Sequence, residues 1–151
     1  MTPRTLFRSL AFAEAVTWTL LLAAMFAKYV LDNEAFSPIA GGLHGFVFLS
    51  YAASTVFVGV NQKWSPATIF LGLATAVIPY ATIPFERSMD RRKKLDGGWR
   101  LAPGGEAPAG FAEKIQAVVL RRPAVSVVVV LAGIAVVFRV LLYLGPPVSL
   151  S

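Results

Sequence analysis

The stretch SPATIFLGLATAVIPYATIPF, residues 65–85, sets how the rest of the chain is read, and it holds no charged side chain. A bilayer core about 30 Å thick takes about 20 mostly apolar residues in an α-helix, so the stretch has the length of one crossing. Pro79 and Pro84 fall in its second half. A proline inside a helix removes a backbone donor and frees a carbonyl one turn back, so the helix bends there. The reading is a membrane-spanning helix kinked towards its end, with Tyr80 and Thr82 as polar neighbours of the prolines.

Three further stretches pass the same test: 9–31, 38–60 and 124–144. The 151 residues are 56% hydrophobic and 15% charged, with a mean hydropathy of +0.66, a composition found in membrane proteins. No segment alternates with period two, and the valine run at 127–130 suits a helix in lipid, where the backbone satisfies itself. The expected fold is all-α with four transmembrane helices. The loops DNEAFSP and NQKWSP are short, so residues 1–86 should form an antiparallel up-down-up three-helix bundle. Both loops end in Ser-Pro, which suits a serine N-cap followed by proline in the first helical position. A long basic connection, 87–123, then leads to the fourth helix and a short tail, 124–151. Its middle, RSMDRRKKLDGGWRLAPGGEAPAG, reads as a flexible, solvated linker. Near its end Phe111, Ile115, Val118 and Val119 are spaced for a short helix on the membrane surface.

Nine of the fourteen basic residues lie between Arg87 and Arg122. The positive-inside rule places this loop, 87–122, in the cytoplasm. Four crossings then leave both termini outside, although Arg4 and Arg8 argue for the reverse. Arg91, Arg92, Lys93 and Lys94 should contact anionic lipid headgroups, each contributing about 1 kcal/mol near the surface. Arg4, Arg8 and the stretch AAMFA also fit a signal peptide. The apolar run is long for one and contains Glu14, so it is read as a retained span.

An ionisable residue inside a span costs about 2.5–3.5 kcal/mol on insertion scales and turns towards protein or water. Glu14 and Lys28 are fourteen positions apart, which puts them on one helix face with Thr17, Trp18, Leu21 and Met25. About 21 Å of helix separates them, so they do not pair with each other. Arg139 matches Glu14 in depth and opposes it in charge; a Glu14–Arg139 pair and an Arg139 that snorkels to the interface both remain open. Lys28 either snorkels or joins a polar group at the opposite surface with Tyr29, His44 and Glu86. His44, the single histidine, is either a neutral imidazole packed between helices or a proton-sensing or ligand-binding group. Tyr51 continues its helix face. Gly41 and Gly45 have the small-xxx-small spacing of close helix packing. One histidine, no cysteine and few carboxylates make no convincing metal site, and no cofactor is expected. No nucleophile–base arrangement or phosphate-binding loop is visible, so no catalytic residues are assigned and an enzyme is not expected.

FRSLAFAEAVTWTLLLAAMFAKY in the first span, LHG in the second and IPYATIPFE closing the third resemble the YdzA-like family. These are small bacterial integral membrane proteins known only as a domain of unknown function. The resemblance covers 6–94 and rests on Glu14, Lys28, Tyr29, His44, Gly45, Pro84, Phe85 and Glu86. Ala15 stands where the family has glycine, MFAKY replaces a stretch that usually contains proline, and the fourth span is an addition to a three-span pattern. The resemblance implies a multi-pass protein of the bacterial plasma membrane.

The function expected from these features is that of an accessory or scaffold subunit, in a homo-oligomer or a larger membrane complex. The alternative is an oligomeric carrier or channel for a small solute or proton that uses Glu14 and His44 within the membrane. Nucleic acid is not among the expected partners.

Overall fold

A computed structural model describes residues 1–144 as six α-helices. They are α1 (Pro3–Val30), α2 (Ser37–Asn61), α3 (Pro66–Thr75), α4 (Thr82–Arg91), α5 (Phe111–Arg121) and α6 (Pro123–Leu144). Three helices are long and apolar enough to cross a membrane: α1, α2 and the 124–144 part of α6. The fold is all-α as expected, with three such helices rather than four. The tail expected after Leu144 lies outside the described residues.

Local signals start the helices. The Thr2 hydroxyl accepts from the Thr5 N–H at 3.2 Å and Pro3 opens α1. Ser65 does the same for α3, accepting from the Thr68 N–H at 3.2 Å ahead of Pro66. The other Ser-Pro behaves differently: Phe36 holds the cap position of α2, without a side-chain bond. Between α1 and α2 the chain reverses at Asp32, whose φ is 52°, and α2 returns antiparallel to α1.

The expected third span, 65–85, is not one helix. α3 ends at Thr75, residues 76–81 form turns, and α4 runs back the way α3 came. Pro79 disfavours helical geometry at Ile78, and Tyr80 adopts a left-handed φ of 65°. Together they convert a kink into a reversal. Successive contacts with α1 trace the return. The Trp18 indole donates to the Ala76 carbonyl at 3.2 Å, and the Thr82 hydroxyl donates to the Ala11 carbonyl at 3.0 Å. Arg8 then meets Glu86 at 2.8 Å, and Arg4 meets Asp90 at 2.7 Å. The hairpin tip lies beside Trp18 and Thr19, about 24 Å along α1 from its start. Two glycines let the hairpin approach. A Cβ on Gly59 would come within 2.7 Å of Ile69, and one on Gly72 within 2.7 Å of Thr55 and 3.0 Å of Phe85.

The aromatic core fills the same half of the bundle. Phe7 is fully buried, with ring centroids of Tyr51 and Trp64 both at 5.5 Å and Phe85 at 6.1 Å. Such tilted and edge-on arrangements are the favoured geometries of aromatic pairs.

The end of the bundle that holds the start of α1, the end of α2 and both ends of the hairpin is its base. The connection after α4 folds onto it. Trp99 Nε1 donates to the Met1 carbonyl at 2.7 Å, and Asp96 pairs with Arg4. The N-terminus therefore packs against the connection that carries most of the basic residues, whereas four crossings would separate the two. α3 and α4 together return to the base instead of running the length of the bundle once. α6 leaves the base and passes Gly45 near the other end of α2, where a Cβ would meet the Phe138 ring at 3.1 Å.

The middle of the connection is not a free linker. Leu95 and Leu101 are buried, and Asn61 binds the loop from both ends of its amide. Its Nδ2 donates to the Gly98 carbonyl at 3.2 Å, and its Oδ1 accepts from the Arg100 N–H at 2.9 Å. The Arg100 guanidinium donates to the Asn61 carbonyl at 2.9 Å, to Glu106 at 2.9 Å and to Glu113 at 2.6 Å. The glycines and prolines dominate the composition, but two leucines, Trp99 and one arginine fix the conformation. The helix expected near 111–119 is present as α5, with Phe111, Ile115 and Val118 exposed and Gln116 buried, its Nε2 donating to the Phe57 carbonyl at 2.8 Å.

Candidate functional site

The middle of α1 faces the middle of α2 through a polar patch. Glu14 is fully buried, and neither of its carboxylate oxygens has a hydrogen-bond partner. His44 Nδ1 stands 4.0 Å from Glu14 Oε2. Thr17, one turn on from Glu14, donates its hydroxyl to the Glu14 carbonyl at 3.1 Å and lies 3.1 Å from His44 Nδ1. A threonine hydroxyl has a single proton. With that proton on the carbonyl, the hydroxyl accepts from Nδ1–H, which leaves Nε2 as the imidazole's acceptor. The Trp18 ring packs on His44 with centroids 4.5 Å apart, and Phe48 lies at 6.3 Å. The aromatic rings screen the imidazole, and the acid beside it has no compensating bond. A buried polar group without a partner is costly, and Glu14 carries that cost in the α1–α2 interior. Glu14 and His44 supply two donor groups; among the described residues no cluster of three His, Cys, Asp or Glu side chains forms.

The remaining expected site residues scatter. Tyr51 is buried near the hairpin and its hydroxyl meets that of Thr75 at 3.2 Å. Lys28 pairs with Glu34 at 3.1 Å at the far end, with the exposed Tyr29 ring 5.7 Å from its Nζ. Glu86 lies at the base with Arg8, so the expected grouping of Lys28, Tyr29, His44 and Glu86 at one surface does not form. The returning α4 carries Glu86 to the other end. Arg139 is exposed on α6 and enters none of the ion pairs among the described residues; the Glu14–Arg139 pair is not made. α6 packs on the Gly42–Gly45 face of α2, while Glu14 points into the α1–α2 interior. Gly41 has open space around it, and Gly45 is the member of the expected pair that meets a neighbour.

Sequence reasoning missed the ion-pair ladder at the base, where Arg4 and Arg8 meet Asp90 and Glu86, with a second contact from Arg8 to Asp90 at 2.7 Å. Its signal was available: two bases four apart in α1 and two acids four apart in α4. It also missed the Asn61–Arg100 clasp. Arg91 and Arg92, expected at lipid headgroups, line a groove on the outer face of α4 with Arg87. Lys93 and Lys94 lie in the turn after it, where the Lys94 carbonyl accepts from the Trp64 indole at 2.9 Å.

Three long apolar helices, with a buried acid beside an imidazole between two of them, define a helical membrane protein. The profile of the family described as "Domain of unknown function (DUF3817)" matches residues 4–91, and the chain belongs to that family. The matched segment is the one that carries the resemblance read from the sequence, and membership brings no assigned activity. The chain is similar to "Putative membrane protein SCO5905" of Streptomyces coelicolor, at 45% identity over 83 residues. The match covers 53% of this chain and 10% of that relative's length. No solved structure matches the chain.

Proposed function

We propose that the chain is an accessory subunit of the bacterial plasma membrane that docks on a larger membrane protein. One observation carries this reading. The relative is about ten times the matched length, so a segment similar to 83 residues of this chain occurs inside a much larger polypeptide named as a membrane protein. A segment that in the relative lies within a large membrane polypeptide is suited to pack against a large membrane protein. The 124–144 helix supports it, with a mean hydropathy of 2.8 and none of its most apolar window buried. In this reading the base faces the cytoplasm, following the basic residues of the loop together with Arg4 and Arg8. Loop 31–36 and the end of α6 face outward. The α3–α4 hairpin enters the membrane from the base and returns, with the Trp18 indole of α1 donating to the Ala76 carbonyl and Thr19 of α1 meeting the Tyr80 hydroxyl at its turns. Mild-detergent purification followed by mass spectrometry tests the reading. A larger membrane protein in fixed stoichiometry is the expected result; the chain alone in a uniform oligomer overturns it.

A second reading is favoured by Glu14. A buried acid without a hydrogen bond beside an imidazole is the kind of group that takes up and releases a proton or small cation. Proton flux in vesicles containing the purified chain, lost in Glu14→Gln with assembly intact, would establish this second reading; absence of flux in the parent removes it.

A further inference from the structure

The geometry points to a binding site for one anionic phospholipid on the outer face of α4, where Arg87, Arg91, Arg92 and Ser88 receive the phosphate and Ile83 and Pro84 the start of an acyl chain. The two faces of α4 carry opposite charge. Glu86 and Asp90, four residues apart, point at α1 and are occupied by Arg8 and Arg4. Arg87 and Arg91, also four apart, point away, and with Arg92 they enter none of the ion pairs among the described residues. The carboxylates of the same helix, Glu86 and Asp90, are engaged by Arg8 and Arg4 on the opposite face. These side chains border a groove of about 370 Å³ together with Ser88, Ile83 and Pro84.

The order of residues along the groove selects the occupant. From the hairpin tip towards the base come the exposed Val77 and Ile78, then the half-buried Ile83 and exposed Pro84, then the arginines. Apolar surface lies at depth and basic groups lie at the end of the bundle, which is the order of tail and phosphate in a lipid leaflet. Guanidinium groups bind phosphate through paired N–H donors, and the Ser88 hydroxyl adds another. A free phosphate would use the arginines and leave the apolar part of the groove unfilled. This assignment requires the base to lie at a membrane surface and is independent of any protein partner.

The test uses the full chain in detergent, with phosphatidylglycerol and phosphatidylcholine as probes and bound lipid counted by native mass spectrometry. The parent should retain phosphatidylglycerol in preference to phosphatidylcholine. The triple variant Arg87→Gln, Arg91→Gln, Arg92→Gln should lose affinity for phosphatidylglycerol by about tenfold or more, with helix content unchanged. Arg91→Gln alone should show a smaller loss in the same direction, which keeps the test valid if the triple variant misfolds. A control that removes the same charge elsewhere, Lys114→Gln, Arg121→Gln, Arg122→Gln, should retain the lipid. Equal loss in the control, equal retention of phosphatidylcholine, or inorganic phosphate displacing the lipid at equal concentration would each overturn the site.

Discussion

Arg8 and Glu86, 78 residues apart in sequence, meet at 2.8 Å at the base of the bundle. The contact is possible only because the chain turns back at 76–81. It places the end of α4 beside the beginning of α1, where an uninterrupted third span would have carried it to the opposite end. Cysteine mapping checks this relationship directly, since the chain has no cysteine of its own. Thr5→Cys and Arg92→Cys should react with a membrane-impermeant thiol reagent from the same side of sealed vesicles, and Glu34→Cys from the other. Labelling of positions 5 and 92 from opposite sides would mean a crossing third segment.

Glu14→Gln should leave the fold intact and, at high pH where the parent's carboxyl is ionised, stabilise it by about 1 kcal/mol or more, because it removes a buried charge without changing the side chain's shape. Thermal unfolding in detergent measures the change. A marked loss of stability would mean that the carboxylate has a partner in the folded protein. His44→Ala, in contrast, removes the ring against which Trp18 packs and should destabilise.

Arg100 organises the loop at the base, and its side chain is only 14% exposed. Arg100→Ala should cost about 2–4 kcal/mol, the range for several charge-assisted bonds lost together. Arg100→Lys should recover only part of this, since an ammonium group cannot span Asn61, Glu106 and Glu113 at once. Protease cleavage within 96–110 should rise in both variants, more in the alanine form.

The same loop should loosen in acid. Glu113 is held below the ordinary glutamate range by the Ala109 N–H and then by Arg100, and Glu106 by Arg100 and Lys63. A carboxyl whose folded pKa is depressed binds fewer protons folded than unfolded. Its contribution is fully present above the ordinary value of 4.5 and is lost as pH falls below that through the folded value. Amide exchange at 99–110, corrected for the intrinsic rate, should show falling protection between neutral pH and about pH 3. Unchanged protection would exclude the two carboxylates as the loop's fastening.

Gly72→Val should push α3 off α2 and α4, because even a single added carbon meets Thr55 at 2.7 Å and Phe85 at 3.0 Å. The expected cost is about 1–3 kcal/mol, the usual range for overpacking. Gly41→Ala has open space and should be neutral. A variant at Gly72 as stable as the parent would mean that the hairpin packs less tightly than described.

The long helices were legible because twenty apolar residues in a row have few other uses. The inward turn of Glu14 was legible from its cost in lipid; its place 4.0 Å from His44 was not, because depth along α2 alone groups His44 with Lys28. The hairpin was not. Pro79 and Pro84 announce a bend, but a kinked span and a reversal contain the same residues, and only the left-handed Tyr80 and the partners on α1 decide between them. Every depth assigned beyond residue 76 inherited that choice, which is why Glu86 and Arg139 were given the wrong neighbours. The loop was misread for a different reason. Composition averages over a segment, whereas Leu95, Leu101 and Arg100 act at single positions.

The reversal at 76–81 also has a bearing on how the protein is made. As residues 65–85 emerge from the ribosome, they are apolar enough to be driven across the bilayer. What draws them back is already in place: Arg4 and Arg8, made first, hold the sites that Glu86 and Asp90 will fill. A circularly permuted chain that delivers the hairpin before α1 is expected to be threaded through with an extra crossing, which thiol labelling on both sides of 65–92 would reveal.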